Sequence, residues 1–138
     1  MKALKTIAPV LALGLAFAGT AHAQTMDARQ ADATATKVRQ VTYQCNAGGR
    51  VTVNFGFNKH NLPTFAEARL GGKTRFLPIN LSASDNVDTN FGDENSWNIS
   101  TDALTLNNYH KSSLMVQDSD SSIAYKNCRV VSTKRIKG

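Results

Sequence analysis

The sequence predicts an all-β protein: a small antiparallel β-barrel of about eight short strands, closed by one disulfide between Cys45 and Cys128. Three observations carry that expectation. Apolar and polar residues alternate with a period of two over several short runs, most clearly at Val51, Val53, Phe55 and Phe57, as in a strand with one face buried. Turn-forming clusters recur every eight to twelve residues, and no long stretch has helical periodicity. The two cysteines bracket nearly all of the patterned region, so a bridge between them would fasten the first strand to the last, and closing the sheet removes exposed edges.

Residues 1–23 read as a signal peptide: Lys2 and Lys5 supply a positive start, residues 7–18 an apolar centre, and Ala21-His22-Ala23 a small-x-small cleavage site. The mature chain is expected to begin at Gln24 and to be exported to the periplasm, the outer-membrane surface or the medium. The apolar run is short for a membrane span, and nothing later resembles one. No cysteine follows it directly, so a lipid anchor there is not expected. In an exported chain, two cysteines read most simply as one bridge, with two separately buried thiols as the alternative. Closing a loop of about 80 residues would contribute roughly 4–5 kcal/mol in the chain-entropy account.

Along the mature chain, residues 24–40 carry few large apolar side chains and read as a polar, loosely ordered arm. A short helix over residues 28–35 would be marginal on its own. The barrel domain is expected over residues 41–131. Val41, Tyr43 and Cys45 alternate, Asn46-Ala47-Gly48-Gly49 turns, and Val51 to Phe57 completes a hairpin. Pro63 marks the edge of the next strand, where Ala66, Ala68 and Leu70 face in. Gly71-Gly72 turns into Lys73 to Leu81. Ser82 to Asn86 is an exposed polar loop, after which Val87, Thr89 and Phe91 resume the alternation. Ser96 to Thr101 pairs back on that strand, with Trp97 and Ile99 on one face, and a short Ala103 to Leu106 segment leads to the turn Asn107 to Lys111. The last hairpin joins Ser112–Gln117 to Ser122–Cys128, with Leu114, Val116, Ile123 and Tyr125 inward. Residues 132–138 read as a mobile basic tail. A barrel that binds a small ligand in its interior is one alternative, and an interior well filled by Phe55, Phe57, Leu81 and Trp97 would count against it.

Charge excludes one class of partner. The formal net charge is +6, and without Lys2 and Lys5 it is 14 basic less 10 acidic residues, or +4. Between Val41 and Val131 bases and acids balance, and the excess sits at the ends, chiefly Lys134, Arg135 and Lys137. A nucleic-acid binder would place base on its folded face, interleaved with aromatics. This chain is therefore not expected to bind nucleic acid. His60 and His110 lie in turns, and with both cysteines in a bridge no zinc set remains. Asp118-x-Asp120 and Asp85-x-x-Asp88 fall short of a calcium loop. Ser84 has no base beside it and no nucleophile elbow is present. The reading is a non-enzyme without metal or cofactor. Asp85, Asp88, Asp93 and Glu94 gather four acids in ten residues. They read as solvated turn acids, or as steering toward a cationic partner.

One run is more specific than its period. Gly56-Phe57-Asn58-Lys59, then Leu62, Thr64 and Ala66, then Gly72-Lys73, Pro78-Ile79-Asn80-Leu81 and Ser84-Asp85-Asn86-Val87-Asp88-Thr89, closely resembles the adhesin complex protein family of Gram-negative bacteria. Tyr109-x-Lys111 and Lys126-x-Cys128 extend the match over most of residues 41–129. That family is similar in turn to the inhibitors of C-type lysozyme, which share a small antiparallel barrel, a disulfide and a Ser-Ala-Ser loop, matched here by Ser82-Ala83-Ser84.

The resemblance implies an exported inhibitor of host C-type lysozyme that inserts polar loops into the enzyme's cleft and also adheres to host cells; the rival is an adhesin without inhibition. In the inhibitors a loop serine and a lysine reach the two catalytic carboxylates. Ser84 matches the serine. Their lysine follows a tryptophan, but Trp97 here is followed by Asn98-Ile99-Ser100, and Lys111 is the nearest downstream candidate. The expected contact set is Ser82, Ser84, Asp85, Asn86, Tyr109, His110 and Lys111. A homodimer is left open.

Overall fold

Short strands with one apolar face must cover that face, and this chain does so by rolling the sheet onto itself. The computed structural model describes residues 25–138; the signal peptide expected over residues 1–23 lies outside them. One helix, α1 (Ala28–Ala33), precedes eight strands: β1 (Lys37–Gln44), β2 (Arg50–Phe57), β3 (Pro63–Leu70), β4 (Lys73–Pro78), β5 (Asp88–Phe91), β6 (Asn98–Asp102), β7 (Leu114–Gln117) and β8 (Ile123–Lys137). They form one antiparallel sheet in the order β4-β3-β2-β1-β8-β7-β6-β5. The outermost strands meet at the bridge Ile79↔Phe91, flanked by Gly92 N–H to Pro78 O at 2.9 Å and Asn80 N–H to Asn90 O at 2.7 Å. The sheet is thereby closed into a barrel, and Cys45 is bonded to Cys128 at 2.05 Å.

The interior is filled by the inward row of each strand. Val41, Tyr43, Val53, Phe55, Phe57, Leu70, Phe91, Ile99 and Val116 have no solvent exposure, and the Phe55 and Phe91 rings meet across the barrel at 5.7 Å. Ala66, Ala68, Leu114 and Leu104 are buried with them. Small side chains on β3 let the wall curve tightly, as their sequence pattern predicts.

The arm and the tail differ from the sequence reading. From residue 25 on, the arm expected over residues 24–40 is not loosely ordered: Asp27 caps α1 through Gln30 N–H at 3.1 Å, and Ala31 and Ala35 pack on Phe65, with Phe76 beside them. Thr64 Oγ1 donates to Ala31 O at 2.9 Å. A six-residue helix is marginal alone, and here β3 stabilises it by offering an aromatic outer face. Lys37 to Gln40 belongs to β1, so the barrel starts before residue 41.

The basic tail is also strand. β8 pairs with β7 over its first half and with β1 over its second, ending at Val38↔Lys137. Arg39 faces inward and is 6% exposed; its guanidinium donates to Lys137 O at 2.7 Å and to Gly138 O at 2.8 Å. Val130, Val131, Thr133 and Ile136 supply β propensity that the surrounding charge disguises. Two register shifts in this pairing leave Val131 and Ile136 as extra, exposed residues of β-bulges.

Three inward assignments also change. Leu81 is 53% exposed, because β4 stops at Pro78 and the chain coils into one turn of 3₁₀ helix at Leu81–Ala83. Val87 is 69% exposed just before β5 begins. Ile123, opposite Gln117 at the irregular end of β7 and β8, is 48% exposed, while Trp97 and Tyr125 are half-buried. Ala103–Leu106 is not a strand; it crosses the barrel mouth, held by Ala103 N–H to Val87 O and Leu104 N–H to Thr89 Oγ1.

Candidate functional site

Strand direction decides which loops can act together. β2, β4 and β6 run toward one end of the barrel and β3, β5 and β7 leave from it, so the segments 58–62, 79–87 and 103–113 form a single rim. Direct bonds join them. Ala103 N–H donates to Val87 O at 2.8 Å, and Leu106 N–H donates to Asn61 O at 3.0 Å. The sequence-derived contact residues on two separate loops therefore share one surface.

The 79–87 loop is held by its own side chains. Asn80 Oδ1 accepts from Ser82 Oγ at 3.1 Å and from Ala83 N–H at 3.2 Å. Ser84 Oγ donates to Asn80 O at 2.7 Å and accepts from Asn90 N–H at 2.9 Å. That hydroxyl spans the neck of the loop and is committed to it. Ser82 and Asn86 are exposed. Asp85 Oδ1 accepts from Val87 N–H at 2.8 Å and Asp88 N–H at 2.9 Å, and these backbone bonds hold its carboxyl below the usual carboxylate range.

The 103–113 loop is built around Asn108, whose Oδ1 accepts from Thr105 N–H at 2.8 Å and whose Nδ2 donates to Ala103 O at 2.7 Å. This turn of 3₁₀ helix, Tyr109–Lys111, lays the half-buried Tyr109 ring on Phe57 at 6.0 Å and edge-on to His110 at 5.7 Å. His110 and Lys111 are exposed. Beneath the rim, Tyr43 is fully buried and its hydroxyl finds no partner among the described residues. Burial raises its pKa far above the ordinary phenol value, and the nearby Asp102 charge adds to the rise.

The sequence reading missed the third loop. Asn58 Oδ1 accepts from His60 N–H and Leu62 N–H at 2.9 and 3.1 Å, which presents Leu62 at 51% exposure. Leu62, Leu81 and Val87 are three large apolar side chains left in solvent on the polar loops of one rim. The turn composition signalled a loop, but its place beside the other two follows from strand order alone. The acidic run is divided by the fold: Asp85 and Asp88 lie at the rim, whereas Asp93 and Glu94 follow β5 at the other end. Asp88 instead faces Asp102 across β5 and β6. The rim thus carries Asp85, Asp88 and Asp102 together with Lys59, His60, His110 and Lys111. Among the described residues no three His, Cys, Asp or Glu side chains come together as a metal set, and no helix is long and apolar enough to cross a membrane.

A family profile described as an ACP-like domain matches residues 39–130. The solved structure of the adhesin complex protein from Neisseria meningitidis is similar to this chain at 37% identity and a TM-score of 0.63, covering 67% of this chain and 98% of that one. No curated protein matches the chain.

Proposed function

The chain belongs to the ACP-like domain family, and on that premise we propose that it is an exported, non-enzymatic protein whose three-loop rim enters the cleft of host C-type lysozyme and blocks it. The observation that carries this reading is the rim itself: loops locked by internal bonds, with exposed Leu62, Leu81 and Val87 among polar donors. Exposed apolar residues grouped within a polar border mark protein-binding surfaces, and preformed loops lose little freedom on binding. Lysozyme cuts glycan with one protonated and one ionised carboxyl group. The Asn86 amide and the Lys111 ammonium are the exposed donors that reach them, the exposed Ser82 hydroxyl joins them by turning from Asn80 Oδ1, and Ser84 fixes the loop that presents Ser82. Leu81 and Val87 fill the space of the sugar rings.

A cell-wall clearing assay with C-type lysozyme tests the proposal. Clearing falls in proportion to added protein, and the combined change Ser82→Ala with Lys111→Ala weakens inhibition about 10- to 100-fold, the loss of one or two charge-assisted bonds. Undiminished clearing at several-fold molar excess would overturn it. The family name favours a second reading, adhesion to host cells from the bacterial surface. Host-cell binding by a protein that leaves lysozyme untouched would select that reading instead.

A further inference from the structure

A second surface of the barrel has a chemistry that the rim does not explain. Four consecutive strands or their ends place a carboxamide along one outer wall: Asn80 after β4, Asn90 on β5, Asn98 on β6 and Gln117 on β7. Asn98 and Gln117 are direct cross-strand partners. All four line a cleft of about 380 Å³, closed at its lower end by Asp93 and Glu94. We propose that this cleft, which shares Asn80 and Ala83 with the back of the 79–87 loop, binds a neutral oligosaccharide.

Two of the amides make a fixed wall. Asn90 Nδ2 donates to Ala83 O at 2.6 Å while its Oδ1 accepts from Ser100 Oγ, and Asn80 Nδ2 donates to Gly92 O at 3.2 Å. The others keep capacity to spare. Asn98 Nδ2 donates to Ser96 O at 3.2 Å and leaves its Oδ1 available. Among the described residues the side chains of Glu94 and Gln117 form no hydrogen bond.

A carboxamide offers a donor and an acceptor in one plane, and a carboxylate offers two acceptor oxygens. Adjacent sugar hydroxyls, each both donor and acceptor, match that set, and uncharged amides are far cheaper to desolvate than ions. No base is among the lining residues, so the two carboxylates repel sialylated, sulfated or phosphorylated ligands. The volume lies near the lower end of small-ligand sites, about 300–1,000 Å³, which suits one or two sugar rings.

The test is a titration of the folded, disulfide-intact protein followed by the side-chain amide NMR signals of Asn98 and Gln117 and by the backbone amide signals of Gly92 and Ser121, which line the same cleft and remain in the variant. The probes are lactose, cellobiose and N,N′-diacetylchitobiose, with sialyllactose as the acidic control and pentalysine as the cationic one. At least one neutral disaccharide moves both sets of signals, with half-saturation at about 1–10 mM. The double change Asn98→Ala with Gln117→Ala weakens that binding about tenfold or more, sialyllactose binds at least about tenfold more weakly than lactose, and inhibition of lysozyme is unaltered by the same double change. Silence from every neutral sugar, shifts that survive the double change, or a response to pentalysine alone would overturn the proposal. Loss of lysozyme inhibition in the parent protein would leave it standing.

Discussion

Ser84 has a structural task within its own loop. Its hydroxyl bridges Asn80 O and Asn90 N–H, so Ser84→Ala opens the neck of the 79–87 loop. The expected cost is about 1–2 kcal/mol in a denaturation curve, with faster amide exchange confined to that loop, whereas Ser82→Ala leaves stability within about 0.5 kcal/mol. Asp85 supplies a pH signature. Its folded pKa is depressed by backbone donors from the ordinary 3.8, so its stabilising effect is complete above that value and is lost as pH falls through the folded one. An NMR titration therefore finds Asp85 ionising below an ordinary aspartate, and the loop keeps its form until that point. At Tyr43 the buried hydroxyl has no partner among the described residues, so Tyr43→Phe stabilises by about 1 kcal/mol rather than costing anything. A loss of 2 kcal/mol or more would mean that the hydroxyl is satisfied. Ser-Ala-Ser identifies the loop from sequence. Which hydroxyl is spent on it depends on where Asn90 lies, and that is set by register rather than by composition.

The elements were legible where burial follows a period of two and obscure where charge hides it. The alternation in β2, the small residues of β3 and the paired rows of β5 and β6 all read directly as strands. The end of β8 did not, because Lys134, Arg135 and Lys137 resemble a solvated tail while the β-branched residues between them pair with β1. The consequence is measurable. Removing residues 132–138 strips β1 of that partner and takes away the Lys137 and Gly138 carbonyls that accept from the buried Arg39. Five paired positions of β1 and two of the three carbonyls that accept from Arg39 go together, at roughly 1 kcal/mol for each bond lost, so the shortened protein should melt far below the parent. An unchanged melting temperature would show that this segment is dispensable. Likewise α1 looked marginal because its stabilising surface, Phe65 and Phe76, is far off in sequence.

At the scale of the molecule, barrel closure and the Cys45–Cys128 bridge were both visible in the pattern of turns and cysteines, whereas the composition of the rim was not. Three loops become one surface only because strands two, four and six run the same way, and Leu62 joins the site through a single backbone bond between Leu106 and Asn61. Reduction of the bridge, which spans 83 positions of sequence, should lower stability by about 4–5 kcal/mol, read as a shift of the denaturation midpoint with the slope also altered by a looser unfolded chain.

The handover of β8 from β7 to β1 falls at the bridged cysteine: Cys128 still faces Leu114, and Arg129 already faces Gln44. Under mechanical load on the C-terminal end, the strand would unzip from β1 as far as that rivet and halt. In an optical trap the oxidised protein should show a short first extension and then a plateau of resistance, and a reducing agent should let the whole barrel unravel in one rip.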